Sequence, residues 1–268
     1  MKHTLLVTFL SVVLPCICFA QTTEEAPELE SDRPTFTQGA TVVPSKTIQI
    51  ETGLEYRKDQ TEEQQEKDFI YPTTLIRMGI LKKVELRVNV DFEKQKHHYA
   101  ASSSLPGPQT KLQGFDNVRV GTKIELVKGE GALPTIGILG NVTLPVGNKD
   151  LRPPHTAPEG RLLFKNELSE KLNLQYNFGY HKHKEEEEYR GEMIYTVNAN
   201  FKVADTFQAF AEYEATKAVH QSVDSSINGG FMFKILPNLQ VDVFGGTSVS
   251  EAAPDFYTGA GVTWRIPR

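Results

Sequence analysis

The chain has 268 residues, 39% hydrophobic and 24% charged, with 20 Gly and 15 Pro. That composition is too apolar for a disordered chain, and the length suits one large all-β domain or two small ones. The 29 basic and 34 acidic residues leave a net charge of −5, and no Lys/Arg-rich block supplies a field for nucleic acid. Beyond the N-terminus no apolar run approaches the about 18 residues of a membrane helix, which excludes a helical membrane protein and leaves a membrane β-barrel open.

Residues 1–20 read as a signal peptide. A short basic start, Met1-Lys2-His3, precedes an apolar stretch from Thr4 to Pro15, and small residues at Cys18 and Ala20 fit cleavage after Ala20. Both cysteines, Cys16 and Cys18, lie in this segment. The mature chain therefore has no disulfide, and an exported protein of this size needs another source of stability. A closed, fully hydrogen-bonded barrel in lipid supplies one. Residues 21–45 show no strand pattern. They begin acidic, with Glu24, Glu25, Glu28 and Glu30, and carry Asp32-Arg33-Pro34 ahead of the first strand. They are expected in the periplasm, with Asp32 and Arg33 as a candidate plug that pairs with charges inside the barrel.

From Lys46 onward period 2 prevails over period 3.6 in nearly every segment. Ile48, Ile50, Thr52, Leu54 and Tyr56 alternate with Gln49, Glu51, Gly53, Glu55 and Arg57. Val84, Leu86, Val88, Val90 and Phe92 alternate with Glu85, Arg87, Asn89, Asp91 and Glu93. The pattern predicts about twelve strands, over 46–57, 69–81, 84–93, 115–127, 133–145, 160–169, 172–181, 192–203, 206–215, 224–235, 239–246 and 256–266. Most have about ten residues, the length a tilted strand needs to cross a hydrocarbon core. Short connections such as 82–83 and 170–171 alternate with long ones at 60–67, 94–114, 147–158, 182–190, 216–223 and 247–255. Short periplasmic turns and longer outer loops have that rhythm. On the apolar parity Tyr56, Phe92, Tyr180 and Tyr213 lead into long loops, while Phe201, Phe207, Phe233 and Trp264 flank short turns. Two aromatic sets at opposite ends suit two membrane interfaces. A secreted β-sandwich would alternate too, but would not need these two belts. The expectation is a single antiparallel transmembrane barrel over residues 46–268. Asn166, on the outward parity, points to a misregister in the sixth strand.

Three stretches resemble the phenol meta-degradation (MetA-pathway) outer-membrane family, a group often labelled only "transporter". They are Ser31-Asp32-Arg33-Pro34-Thr35-Phe36-Thr37 with Val43-Pro44 and Ile48 to Gly53; Leu75 to Arg87, an Arg-x-Gly strand followed by Glu-Leu-Arg; and Gly114 to Lys123 with Leu144-Pro145-Val146-Gly147. The resemblance implies an outer-membrane barrel of a Gram-negative envelope and a channel for small, weakly polar or aromatic molecules.

The inward face carries Arg77, Glu85, Arg87, Arg119, Lys123, Glu125, Arg161, Glu212 and Asp242, and the apolar Phe210 and Phe244. The two signs balance on that face, so it predicts no charge selectivity. Arg77, Glu85 and Arg87 flank one tight turn and should form a salt-bridge cluster at the periplasmic end. No catalytic motif, zinc spacing or phosphate loop is present, so neither an enzyme nor a cofactor is expected. His181-Lys182-His183-Lys184 before Glu185 to Glu188 reads as a solvated charged loop rather than a metal site. Expected partners are outer-membrane lipids including lipopolysaccharide, a small-molecule solute and the barrel-assembly machinery, with a monomer as the working unit. Passive diffusion through the lumen is the expected function. The alternatives are a non-conducting barrel for envelope integrity or adhesion through 94–114, and an outer-membrane lipid hydrolase.

Overall fold

A computed structural model describes residues 27–60, 64–99, 109–130, 133–185, 188–218, 221–250 and 255–266. The expected signal peptide and its cleavage site lie outside the described residues. Twelve strands follow in chain order: β1 (Ile48–Gln60), β2 (Gln64–Leu81), β3 (Val84–Tyr99), β4 (Gln109–Val127), β5 (Thr135–Thr143), β6 (Ala157–Ser169), β7 (Leu172–Glu185), β8 (Glu188–Ala204), β9 (Phe207–Ala218), β10 (Val223–Leu236), β11 (Leu239–Ser248) and β12 (Phe256–Arg265). Each pairs antiparallel with its sequence neighbours, and β1 pairs with β12, so the sheet closes into a barrel without a free edge.

The period-2 pattern decides which face meets what. Outward side chains such as Leu54, Val120, Ile138, Leu162, Phe178, Ile227, Phe231 and Val243 are exposed, Leu54 at 55%. Inward side chains such as Gln49, Glu51, Arg77, Glu85, Lys123, Asn177 and Asn198 are buried, Arg77 at 1%. This inverts the usual soluble core, as a transmembrane barrel requires. Aromatic contacts mark both ends of the outward face. Tyr56 packs on Phe69 at 4.9 Å and Phe92 on Phe115 at 5.4 Å near the long connections. Phe207 stacks on Phe233 at 4.9 Å near a short turn.

The strands differ from expectation at the loop end. Residues 60–67, 94–114 and 182–190 were expected as loops, but β1 to β4, β7 and β8 continue through most of them, leaving connections at 61–63, 100–108 and 186–187. Above the lipid both faces of a strand meet water, so the ladder persists while the alternation that advertises it disappears. On the short side the β4–β5 connection is longer than expected, spanning 128–134. A band of bulges crosses β1 to β4, between Gly53 and Glu55, between Ile70 and Thr73, and between Asn89 and Asp91. Pro72 lies at its centre and has no N–H to give the ladder. The bulge shifts parity, so that Ile70 faces inward above it as Thr73 does below. The misregister expected in the sixth strand lies just past Asn166, as a register shift between Glu167 and Ser169. At Asn166 itself β6 keeps its parity, and the Tyr176 hydroxyl donates to Asn166 Oδ1 at 3.2 Å on the outer face.

Candidate functional site: the barrel interior

Residues 27–45 run inside the barrel and bond to its wall. The chain comes in at the short-turn end. There the Arg265 guanidinium donates to the carbonyls of Pro27 and Glu28, Glu28 pairs with Lys234, and Glu30 pairs with Lys165 at 3.0 Å. It leaves at the same end, where Lys46 N–H donates to the Gly79 carbonyl at 2.5 Å and Gly79 N–H to the Thr47 carbonyl at 2.9 Å. A Cβ at Gly79 would overlap the Pro44 carbonyl, so only glycine lets the returning chain lie against β2.

The central contact is Asp32. Lys123 Nζ lies 3.0 and 2.9 Å from its two carboxylate oxygens, Arg87 Nη1 2.5 Å and Arg77 Nη1 3.6 Å from Oδ2. Glu85 takes a side-on pair of bonds from Arg77 Nε and Nη2, both at 2.9 Å, and a third from Arg87 at 2.8 Å. Glu51 accepts from Arg77 at 3.0 Å and from the backbone N–H groups of Asp32 and Arg33 at 3.0 and 3.1 Å. The register sets Arg77 directly opposite Arg87, a repulsive pairing on its own. Asp32 and Glu85 both contact each of these two cations. The wall alone offers three cations and two carboxylates, and the segment adds the third carboxylate. Burial opposes ionisation of Asp32, but the charges of Arg77, Lys123 and Arg87 outweigh it and hold this carboxyl well below its ordinary value. Glu30 is likewise held low against burial, by Lys165 and the Thr41 hydroxyl.

Two further anchors follow. The Arg33 guanidinium makes a paired contact with Asp242, Nη2 to Oδ1 at 3.0 Å and Nε to Oδ2 at 3.3 Å, and reaches the Thr73 hydroxyl at 3.1 Å. It lies in a slot above Gly53 and Gly261, where either Cβ would overlap it. Glu212 accepts the backbone N–H groups of Phe36 and Thr37 at 3.0 and 2.7 Å and the Asn228 amide at 2.8 Å. The Phe36 ring packs against a buried cluster of Phe210, Met232, Phe244 and Tyr257. Beyond it Ala40 fills the space beside Leu139 and Leu163.

Two cavities flank this segment. One of about 580 Å³ opens toward the loop end and is lined by Arg57, Asn89, Arg119, Leu139, Arg161 and Phe244 among others. One of about 230 Å³ lies toward the short turns, beside Arg77, Lys165, Lys202 and Gln240. Asp32 lines both. Three arginines of the larger cavity are paired with carboxylates: Arg161 with Glu159 at 2.5 Å, Arg57 with Glu55 at 2.5 Å, and Arg119 with Asp91 at 3.5 Å.

Of the residues singled out in the sequence, Arg77, Glu85, Arg87 and Lys123 meet around Asp32. Asp242 receives Arg33, Glu212 holds the Phe36–Thr37 backbone, and Phe210 and Phe244 form one apolar patch. Arg119 and Arg161 line the larger cavity. Glu125 joins none of these groups; it is half-exposed beside the register shift at the end of β4, its N–H donating to the Lys83 carbonyl at 2.9 Å. Sequence reasoning missed Gln49, Glu51 and Asn177 as partners of the segment, and Leu151 and Pro153 of the β5–β6 connection, which line the larger cavity. The first three carried a signal, being polar at inward positions of strands. The last two carried none, since a loop that folds inward has no period. Among the described residues no group of three or more His, Cys, Asp or Glu could hold a metal ion. The side chains of His183 and of 185–188 lie outside those described.

The barrel resembles solved structures at identities that speak to fold alone. An outer membrane channel from Pseudomonas putida F1 aligns at a TM-score of 0.67 and 9% identity, over 84% of this chain and 97% of that one. The β domain of the Bordetella autotransporter BrkA aligns at 0.53 and 7%, over 82% and 99%. The transport unit of the autotransporter AIDA-I from Escherichia coli aligns at 0.52 and 10%, over 83% and 90%. No curated protein matches the chain. The family described as "Putative MetA-pathway of phenol degradation" matches residues 31–266, a span that takes in most of the inserted segment and all twelve strands, and the chain belongs to that family.

Proposed function

We propose that this protein is an outer-membrane channel for small, weakly polar molecules, and that residues 27–45 are a plug held in its lumen. One observation carries the reading: Asp32, from the segment, is ion-paired with three wall cations and lines both cavities of the lumen. The lining of the larger cavity supports the solute class. Three of its arginines are paired with carboxylates, and Leu75, Leu139 and Phe244 lie beside them in the same lining. Such a wall selects by size and polarity rather than by sign. Flux through it is passive, down a gradient.

Conductance in planar bilayers tests the plug. Deleting residues 21–45 should give a larger single-channel conductance than the full chain, and an unchanged conductance rejects the plug. Liposome swelling across a solute size series tests the channel itself. The filled lumen favours one rival, a non-conducting barrel that serves the envelope mechanically. Absence of swelling for every solute, in both the full chain and the deletion variant, selects that rival.

A further inference from the structure

The strand extensions that rise above the lipid place lysines in register. Lys58 of β1 is directly opposite Lys67 of β2, Lys67 is opposite Lys96 of β3, and Lys96 is opposite Lys111 of β4. Lys94, two residues back along β3, is opposite Phe69. All five are on the outward parity. Lys96 Nζ sits 5.3 Å from the centre of the Phe69 ring, which itself packs on Tyr56. The acidic residues of these strands take the other parity: Asp59 is opposite Glu66, and Asp68 is opposite Arg57. The outward face is thus cationic and the inward face acidic. Among the described residues none of the five lysines forms an ion pair with a carboxylate.

Four ammonium groups on adjacent strands, about 4.8 Å apart at the backbone, repel one another. Such a row is stable when an anion lies along it. Its height identifies the anion. The outward aromatic belt at this end, with Tyr56, Phe69, Phe92 and Phe115, marks the boundary of the hydrocarbon. Lys58 lies two residues beyond Tyr56, a rise of about 7 Å, which is headgroup depth. A phosphate monoester offers several acceptor oxygens and more than one negative charge, enough to bridge neighbouring lysines. We propose that the outward face of β1–β4 above the aromatic belt is a docking site for the phosphate groups of a phosphorylated glycolipid in the outer leaflet. The proposal rests on the outer-membrane reading given above.

Native mass spectrometry of the detergent-solubilised full chain tests it, using a bis-phosphorylated lipid A-type glycolipid and the same lipid after enzymatic dephosphorylation. The wild type should retain the phosphorylated lipid at least tenfold more tightly. The quadruple variant Lys58→Gln, Lys67→Gln, Lys96→Gln, Lys111→Gln should lose that preference, while its heat-modifiable migration and its conductance stay unchanged, since none of the four faces the lumen. Inorganic phosphate at the same concentration should not displace the lipid. Equal retention of the two lipids by the wild type overturns the proposal and needs no variant. So does a variant that binds like wild type, displacement by free phosphate alone, or a row whose removal abolishes self-association instead of lipid binding. A barrel that conducts yet ignores lipid phosphate sinks this proposal and leaves the channel standing.

Discussion

Asp32 is the residue on which the interior turns. Removing one partner from a buried ionic network costs about 3–5 kcal/mol, because the remaining charges stay buried without compensation. Asp32→Asn leaves Arg77, Arg87 and Lys123 facing only Glu51 and Glu85, and should lower the temperature at which the heat-modifiable band converts. The pH dependence has a definite sign. The folded carboxyl lies well below its ordinary value of 3.8, so its contribution is fully present above that value and is lost as pH falls through the folded one. Segment docking should therefore hold through mildly acidic conditions and weaken only below about pH 3.8. Conversion temperature measured against pH should show that acid limb in the wild type and a reduced limb in Asp32→Asn; identical limbs refute the assignment. The Arg77–Glu85–Arg87 turn could be read as inward charges because inward positions on strands are countable, and Asp32 and Arg33 could be read as charges ahead of the first strand. Which of them meet could not, because the meeting depends on the path of a segment with no period of its own.

At the level of elements the strands were legible wherever one face touches lipid and the other does not. All twelve were visible for that reason, and their outer ends were not, because wet strands such as residues 65–68 and 94–96 carry polar side chains on both faces. The band of bulges around Pro72 was equally hidden: a proline in a strand announces a break but not its extent across three neighbours. The slot made by Gly53 of β1 and Gly261 of β12 gives an element-scale prediction. Gly261→Leu should fill the slot and expel the Arg33 guanidinium while leaving the β11–β12 and β1–β12 ladders intact. The variant should migrate as a folded barrel and conduct more than wild type. Wild-type conductance from a correctly folded Gly261→Leu would show that Arg33 does not secure the segment.

Over the whole molecule the inserted segment is continuous with the wall. Residues 40–47 lead from its anchors directly into β1, past the contacts at Gly79. If the segment is the proposed plug, it is tethered and cannot diffuse away when it lets go. Its local concentration at its seat is set by a few residues of chain rather than by how much protein is in the membrane. Reclosure by the proposed plug would then be a first-order event. In single-channel records, dwell times in the higher-conductance level should be the same at every protein density and should lengthen when flexible residues are inserted after Thr41.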